Sequence, residues 1–392
     1  NTALGYRALT ANTTGHRNIA AGTDALLSNT TGAYNAVFGQ DAMGLNTTGL
    51  NNTAVGRGSA YTNTTGSNNT ALGMNALYYN QTANNNTAVG YWALNANTTG
   101  ADNVGVGASA LTTNTTANRN VAVGYGALSA SNSDDNVALG WEAMGKATTG
   151  TDSVAIGKQA LKEVTTGSYN TAIGYNAMDN LTTGVHHVAI GYIALRSLTT
   201  GIYSVAVGNY AAYLTTTGSR TTAIGYNALG SNTTGNDNTA LGAQALDTST
   251  TGSNNVGVGA SALTSNTTAG WNTGVGFRAL TSNTTGTPNT AVGSDALRDN
   301  TTGADLTAVG SGALAANTGS NNTAVGRNAL SANTTGTGNT GVGKDSLKIN
   351  TTGANCTAVG LSALEQNNAN NNTALGYQAA LSNTTGSTNV AV

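Results

Sequence analysis

Few residues in this chain could do chemistry. Histidine occurs only at His16, His186 and His187, and the one cysteine is Cys356. A single thiol cannot close an intramolecular disulfide, and nothing around Cys356 has metal-ligand spacing. It reads as a small residue filling a Thr or Asn slot just ahead of a strand. His186 and His187 are adjacent, so on extended backbone they face opposite ways and cannot easily hold one metal. The pair is expected at a loop or surface. Asp134 and Asp135 read as solvation of one shortened loop. The chain has no GxSxG, no Walker loop and no HExxH, and it lacks the GGxGxD signature of calcium-binding β-rolls. Gly105-Val106-Gly107 resembles a fragment of a dinucleotide fingerprint, but it recurs throughout and opens no helix. No catalytic residue, cofactor or metal site is expected.

Two polar features remain. Thirteen copies of Asn-Thr-Thr fit the N-glycosylation sequon, among them Asn12, Asn29, Asn97, Asn232, Asn300 and Asn383. The competing reading is turn chemistry, with stacked Asn side chains hydrogen-bonding along an axis. The repeated Thr also raises an ice-binding face. That idea is set aside, because neighbouring Thr residues in a strand would face opposite ways. The second feature is residues 137–220. There the Asn is replaced, giving KATTG, EVTTG, NLTTG, SLTTG and LTTTG, and aromatic residues accumulate. Trp141, Tyr169, Tyr175, Tyr192, Tyr203, Tyr210 and Tyr213 are a candidate binding patch for carbohydrate or protein. The alternative is that they shield a seam between neighbouring chains, or have drifted.

What positions all of these is a repeat. Gly5, Gly22, Gly39 and Gly56 begin a series of 23 glycines spaced 17 residues apart, with three steps of 16. The unit is [T/V]-A-[V/L/I]-G-x-x-A-[L/M]-x-x-N-T-T-G-x-x-N, numbered here as positions 1 to 17, so that Thr2 opens the first full unit. The missing residue always falls in the NTTGxxN half, as in SASNSDDN (129–136). Deletions are tolerated in loops and rejected in packed elements. Positions 17–4 and 7–9 are therefore expected to be structured, the second as a short strand, with a turn at 11–16.

The word TAVG is β-branched and ends in Gly, which disfavours helix. Its positions 1 and 3 alternate as strand residues do. The pattern predicts an all-β, parallel β-solenoid of 23 coils, one continuous array over 1–392, roughly 110 Å long at the strand spacing of a sheet. Expected core columns are position 3 (Leu4, Val55, Ile156, Ile190, Val325) and position 8 (Leu9, Leu195, Leu330). Gly5, Gly90, Gly191 and Gly326, at position 4, are expected where only Gly fits the turn. Position 2 is restricted to Ala or Gly except at Val37, which implies another surface lying against it, either a second sheet of the same chain or a neighbouring chain. The aliphatic area one coil can bury looks small beside the entropy of ordering it. A homo-oligomer, threefold and packed along the shared Ala/Gly face, is therefore expected.

Charged residues are only 8% of the chain and the net charge is −2, with no basic block. Neither nucleic acid nor an anionic membrane is an electrostatically favoured partner. No apolar run reaches the roughly 20 residues that span a bilayer. Neither end carries a polar cap, so both read as cuts within a longer array.

NVALG (136–140), DSVAIG (152–157) and HHVAIG (186–191) resemble the NSVAIG word of the YadA-like heads of trimeric autotransporter adhesins. The phrase NNTAVGRNALSANTTG resembles tandem repeats of bacterial and phage tail-fibre-like proteins. The resemblance implies a left-handed parallel β-roll, trimeric, displayed at the cell surface or on a virion. The leading expectation is an extracellular, non-enzymatic fibre, filament or stalk made of identical chains. The alternative is an adhesin or phage receptor-binding fibre that meets a host-surface ligand through 137–220.

Overall fold

Each repeat contributes one short strand, because only positions 1–3 hold a run of β-branched and small residues before Gly interrupts it. The computed structural model describes residues 1–392 and contains twenty-four strands and no helix. The chain divides into two units, Asn1–Thr200 and Gly201–Val392. The first holds β1 (Thr2–Leu4) to β12 (Val188–Ile190), and the second holds β13 (Val205–Val207) to β24 (Val390–Ala391). Within each unit every strand pairs in parallel with its sequence neighbours, as in Thr2↔Ile19 and Val205↔Thr222. Each unit is a parallel β-solenoid, and together they make about 23 turns. The register absorbs the three short repeats: Val121↔Val137, Thr307↔Thr323 and Thr357↔Thr373 pair in step with no bulge in the strand.

The Gly at position 4 closes the strand for two reasons. Its φ lies far on the positive side, 132° at Gly5, 134° at Gly90 and 137° at both Gly191 and Gly326. A side chain there would also strike the next coil: a Cβ on Gly5 would lie 2.6 Å from the Gly22 carbonyl oxygen, and one on Gly326 2.5 Å from that of Gly343. The expectation for these glycines holds on both counts.

The expected second strand at 7–9 is a turn instead. Positions 6 and 8 take left-handed backbone, as at Trp92 (φ 59°) and Leu94 (φ 50°). This region disfavours L-residues by roughly 1–2 kcal/mol each. Two things hold the leucine there. Its N–H donates to the neighbouring coil (Leu94 to the Ala110 carbonyl, 2.9 Å), and its side chain is fully buried. A Gly–Leu alternation in handedness leaves no mark on hydrophobic periodicity, so the sequence pattern reads as a strand.

The strand's inward face is the reverse of the expected one. Position 2 points into the coil: Ala54, Ala189, Ala324 and even Val37 have no exposed surface. Position 3 points out, with Leu4 72%, Val55 40%, Ile190 37% and Val325 38% exposed and Ile156 half-buried. These five are not core. The reason is space. A Cβ on Gly105 would sit 3.3 Å from Leu94 Cγ, and one on Gly257 the same distance from Leu246 Cγ. The coil is so thin that the residue opposite Leu must be small: Ala or Gly in every coil but one, where Val37 is accommodated. The restriction of position 2 thus comes from the chain's own interior, not from a neighbouring molecule. Leu9, Leu195 and Leu330 at position 8 are buried, as is the Ala column of position 7 (Ala93, Ala194, Ala329).

Candidate functional site

The interior and three stretches of surface hold most of the residues singled out above; Asp134 and Asp135, read as solvating their loop, instead pair with Arg119 of the preceding coil. The interior contains two columns of asparagine. At position 11, Asn29 Nδ2 donates to Asn12 Oδ1 (2.8 Å), Asn46 to Asn29 (2.8 Å), and the chain continues through Asn97 to Asn80 (2.9 Å) and Asn114 to Asn97 (3.0 Å). Each also caps its own turn, as Asn97 does on the Gly100 carbonyl at 2.9 Å. At position 17 the backbone N–H of Asn35 donates to Asn18 Oδ1 (2.9 Å), while Asn35 Nδ2 reaches the Gly49 carbonyl (3.0 Å). The first Thr of each NTT adds a third axial run, with Thr98 Oγ1 donating to the Thr115 carbonyl at 2.9 Å. Buried amides thus find partners in the next coil, as buried polar groups must.

This arrangement overturns the glycosylation expectation. Asn29, Asn97, Asn232 and Asn300 have no exposed surface, and their Nδ2 atoms, where a glycan would attach, are engaged inside. Asn12 and Asn383 are half-buried and make the same turn bond, to Gly15 and Gly386. The sequons are ladder residues. Position 17 also receives Cys356, free and buried, and His187, whose backbone N–H donates to Asn170 Oδ1 at 3.0 Å. His187 lies in the loop just ahead of β12, as one half of the loop-or-surface expectation has it, but its side chain is buried, since position 17 faces the interior. His186 is exposed and stacks on Tyr169 with ring centroids 4.9 Å apart. No group of His, Cys, Asp or Glu is arranged to hold a metal ion.

The first surface is the outward strand face. Thr or Val at position 1 and Val, Ile or Leu at position 3 form two parallel ranks along each unit, with Phe38, Val55, Val123 and Ile190 in the first and Ile224, Leu241, Val309 and Val325 in the second among the exposed ones.

The second surface carries the aromatic residues of 137–220, which fall in both units. Trp141, Tyr175 and Tyr192 share position 5. Lys158 lies between them, its ammonium 5.0 Å from the Trp141 ring and 5.8 Å from that of Tyr175, and Tyr175 stacks on Tyr192 at 5.4 Å. Tyr169 sits before the strand, at position 16. Tyr203, Tyr210 and Tyr213 belong to the second unit, where Tyr210 packs edge-on against Tyr213 at 5.7 Å. Within the first unit, then, Trp141, Tyr175 and Tyr192 line up along position 5, and Tyr169 lies at position 16.

The third surface was not anticipated. A cavity of about 450 Å³ opens on the turns of the third to sixth coils, between Gln40 and Asn95. Tyr61 and Tyr78, both at position 9, stack at 5.2 Å, and Tyr79 meets Tyr78 edge-on at 4.8 Å. Burial, with the neighbouring phenols, pushes the Tyr78 hydroxyl above its usual range, so it stays neutral. Gly44 and Gly58 leave room for these rings: a Cβ on Gly44 would be 3.0 Å from Tyr61 Cε2, and one on Gly58 3.2 Å from Tyr78 Cε2. Trp92, Asp41, Arg57 and Asn75 complete the walls. The signal in the sequence is the pair of tyrosines one repeat apart beside two glycines that break the repeat. A smaller depression of about 260 Å³ lies at the same positions further along, near Tyr125 and Glu142. Its charges are already paired, Glu142 with Lys162 at 3.0 Å and the adjacent Lys146 with Glu163 at 2.6 Å.

The architecture defines a class, the parallel β-solenoid. No protein-family model matches this chain, and no curated protein matches it. No helix is long and apolar enough to cross a membrane.

Proposed function

We propose that the chain is a non-enzymatic structural fibre or stalk, carried outside the cell or on a virion, in which identical chains pack against one another. The observation that carries this reading is the outward rank of Val, Ile and Leu at position 3. Repeated in coil after coil, it presents an apolar stripe of the kind that soluble monomers keep small. The shared surface is this Thr/Val face and not the Ala/Gly column, which the coil's own leucines occupy. Covering the half-exposed side chain of each coil would contribute on the order of 1 kcal/mol, and the contribution recurs with every turn. A threefold, left-handed arrangement is what the resemblance to adhesin heads favours.

Sedimentation equilibrium of the full chain tests the reading, with Val309→Lys and Val325→Lys introduced together. The expected result is a multiple of the 38.7 kDa chain mass for the unaltered protein, and a shift towards single chains for the variant with an unchanged β-sheet circular dichroism spectrum. A monomeric unaltered protein would refute it.

A further inference from the structure

The groove between Gln40 and Asn95 has a composition unlike the rest of the surface. Its wall carries the stacked Tyr61–Tyr78 pair, Tyr79 and the partly exposed Trp92, all within three successive coils. Between them are planar polar groups: the Asn75 amide, the Asp41 carboxylate, which accepts from Gln40 Nε2 at 3.1 Å, and the Arg57 guanidinium, which is in no ion pair. The chemistry of that mixture is selective. An apolar small molecule would leave these polar groups unpaired. A polyanion such as nucleic acid would find one cation faced by a carboxylate. Sugar rings suit it. Their C–H faces lie on aromatic rings, and their paired hydroxyls match the two-pronged donors and acceptors of Asn, Asp and Arg. The coil-to-coil advance of about 4.8 Å is also close to the length of one sugar ring, so successive coils can address successive sugars.

We propose that this groove binds a linear oligosaccharide lying along the stacking direction, with Trp92, Tyr78 and Tyr79 stacking on its rings and Asp41, Arg57 and Asn75 hydrogen-bonding its hydroxyls. The groove shares no residue with the outward strand face. The inference therefore stands whether or not identical chains cover that face, and it does not depend on the aromatics of 137–220. The glycines at 44 and 58 have a role in it. They replace side chains that would otherwise press against Tyr61 and Tyr78, and so they hold the groove open.

The test is a printed array of linear oligosaccharides, covering neutral glucans, xylans and mannans together with uronate-containing chains, probed with the full chain. Binding of at least one class is expected. Trp92→Ala should weaken it about tenfold, the scale of one aromatic stacking contact. Asp41→Asn, which keeps the size of the side chain, should weaken it less while leaving the circular dichroism spectrum unchanged. Trp141→Ala, on the separate position 5 row, should leave binding intact. Arg57→Gln separates the sources: selective loss of uronate binding identifies an acidic glycan, and a uniform modest loss a neutral one. The proposal is overturned if no glycan is retained, if Trp92→Ala and Asp41→Asn both bind like the unaltered chain, if Trp141→Ala loses as much as Trp92→Ala, or if the groove captures only peptides.

Discussion

Two stretches of the first unit build the same coil around different interiors. From Asn12 to Asn114 the position 11 column is an unbroken run of asparagines, each donating to the one before. From Ala147 through Val164 and Leu181 to Leu198 the same column is aliphatic and fully buried. In the first stretch the position 14 carbonyl receives two amides: Gly100 accepts from Asn97 at 2.9 Å and from Asn86 at 2.8 Å. In the second the position 17 donor remains where that residue is Asn, so Gly184 accepts from Asn170 at 2.9 Å and Gly150 from Asn136 at 2.9 Å, whereas Ser153 turns its hydroxyl to the Thr151 carbonyl instead of to Gly167. The turn forms either way. The difference teaches that the column must be internally consistent and need not be polar. Within an unbroken run an amide pairs with the amides on either side and a methyl group packs on methyl groups. In the mixed column of the second unit Asn232, between Thr215 and Ser249, keeps a long bond to Thr215 and leaves its oxygen unpaired.

Reciprocal exchange should break this rule most severely. Leu181→Asn places an amide between Val164 and Leu198, with no ladder partner and a lost aliphatic contact. A destabilisation of about 3–5 kcal/mol is expected, combining the loss of a buried leucine with an unsatisfied polar group. Asn97→Leu orphans Asn80 Oδ1 and removes one partner from Asn114, with about 2–4 kcal/mol expected. A long repeat array need not unfold in one step. Hydrogen exchange at the altered coil and its neighbours is therefore the measurement, and equal protection in variant and unaltered chains would contradict the rule.

The rule also predicts a repair. Where the next coil offers no donor, the asparagine oxygen is stranded: Asn114 Oδ1 and Asn232 Oδ1 are buried without a partner, as is the Ser249 hydroxyl that follows Asn232. So is Asn350 Oδ1, because Asn367 turns its amide to Cys356 Sγ and the Ala369 carbonyl. Ser249→Asn would give Asn232 Oδ1 a donor and offer its own oxygen to Asn266. A gain of about 1–2 kcal/mol is expected, read as a higher thermal midpoint and slower exchange in coils 232–266. Ser249→Ala, which removes one orphan but leaves the other, should give less than Ser249→Asn; the reverse order would show that the column does not act as a ladder.

Much of the ladder was legible in the residues and some of it was not. The repeat, the parallel strand at positions 1–3 and the position 4 glycines follow from spacing and from what Gly alone permits, whereas the second strand expected at positions 7–9 is a turn. The stacking of Asn along an axis was visible as one of two readings of NTT, and burial decides between them. The face of the strand was not legible. Val at positions 1 and 3 and Ala at position 2 alternate equally well in either orientation, and hydrophobicity favours placing Val inside. What decides is the width of the coil, set by Leu94 and its equivalents opposite Gly105, which is a tertiary distance. The groove was illegible for another reason: Tyr61, Tyr78 and Trp92 lie at positions 9 and 6, which no periodicity marks as neighbours until the left-handed turn brings them together.

The smallest expected effect concerns charge in the aliphatic stretch. Elsewhere carboxylates reach across coils to arginines: Arg7 to Asp24 at 2.7 Å, Arg119 to Asp135 at 2.6 Å and Arg220 to Asp237 at 2.7 Å. The arginine hydrogen bond holds each of these carboxyls below the usual range. Their contribution is present above the unfolded-state pKa of about 3.9 and is lost as pH falls through the folded value. Being exposed, these pairs contribute little. Asp179, in the same coil as Leu181, behaves oppositely. Burial pushes its carboxyl up, against the weaker pull of Lys162 and Arg196, and its Oδ1 has no hydrogen-bond partner. The folded chain then holds this proton more tightly than the unfolded chain, so the contribution to stability is fully present below about pH 3.9 and declines as pH rises through the folded pKa. Asp179→Asn removes the titration. Relative to the unaltered chain, the variant's thermal midpoint should improve as pH rises from about 4 to 7, by a fraction of a kcal/mol in stability. No such trend is expected for Asp24→Asn, where the difference should run the other way on acidification, the variant lacking a pair that the unaltered chain loses only at low pH. A difference between Asp179→Asn and the unaltered chain that stays constant with pH would mean that Asp179 is as well solvated as the paired carboxylates, and that the aliphatic stretch is no drier at its edge than the amide one.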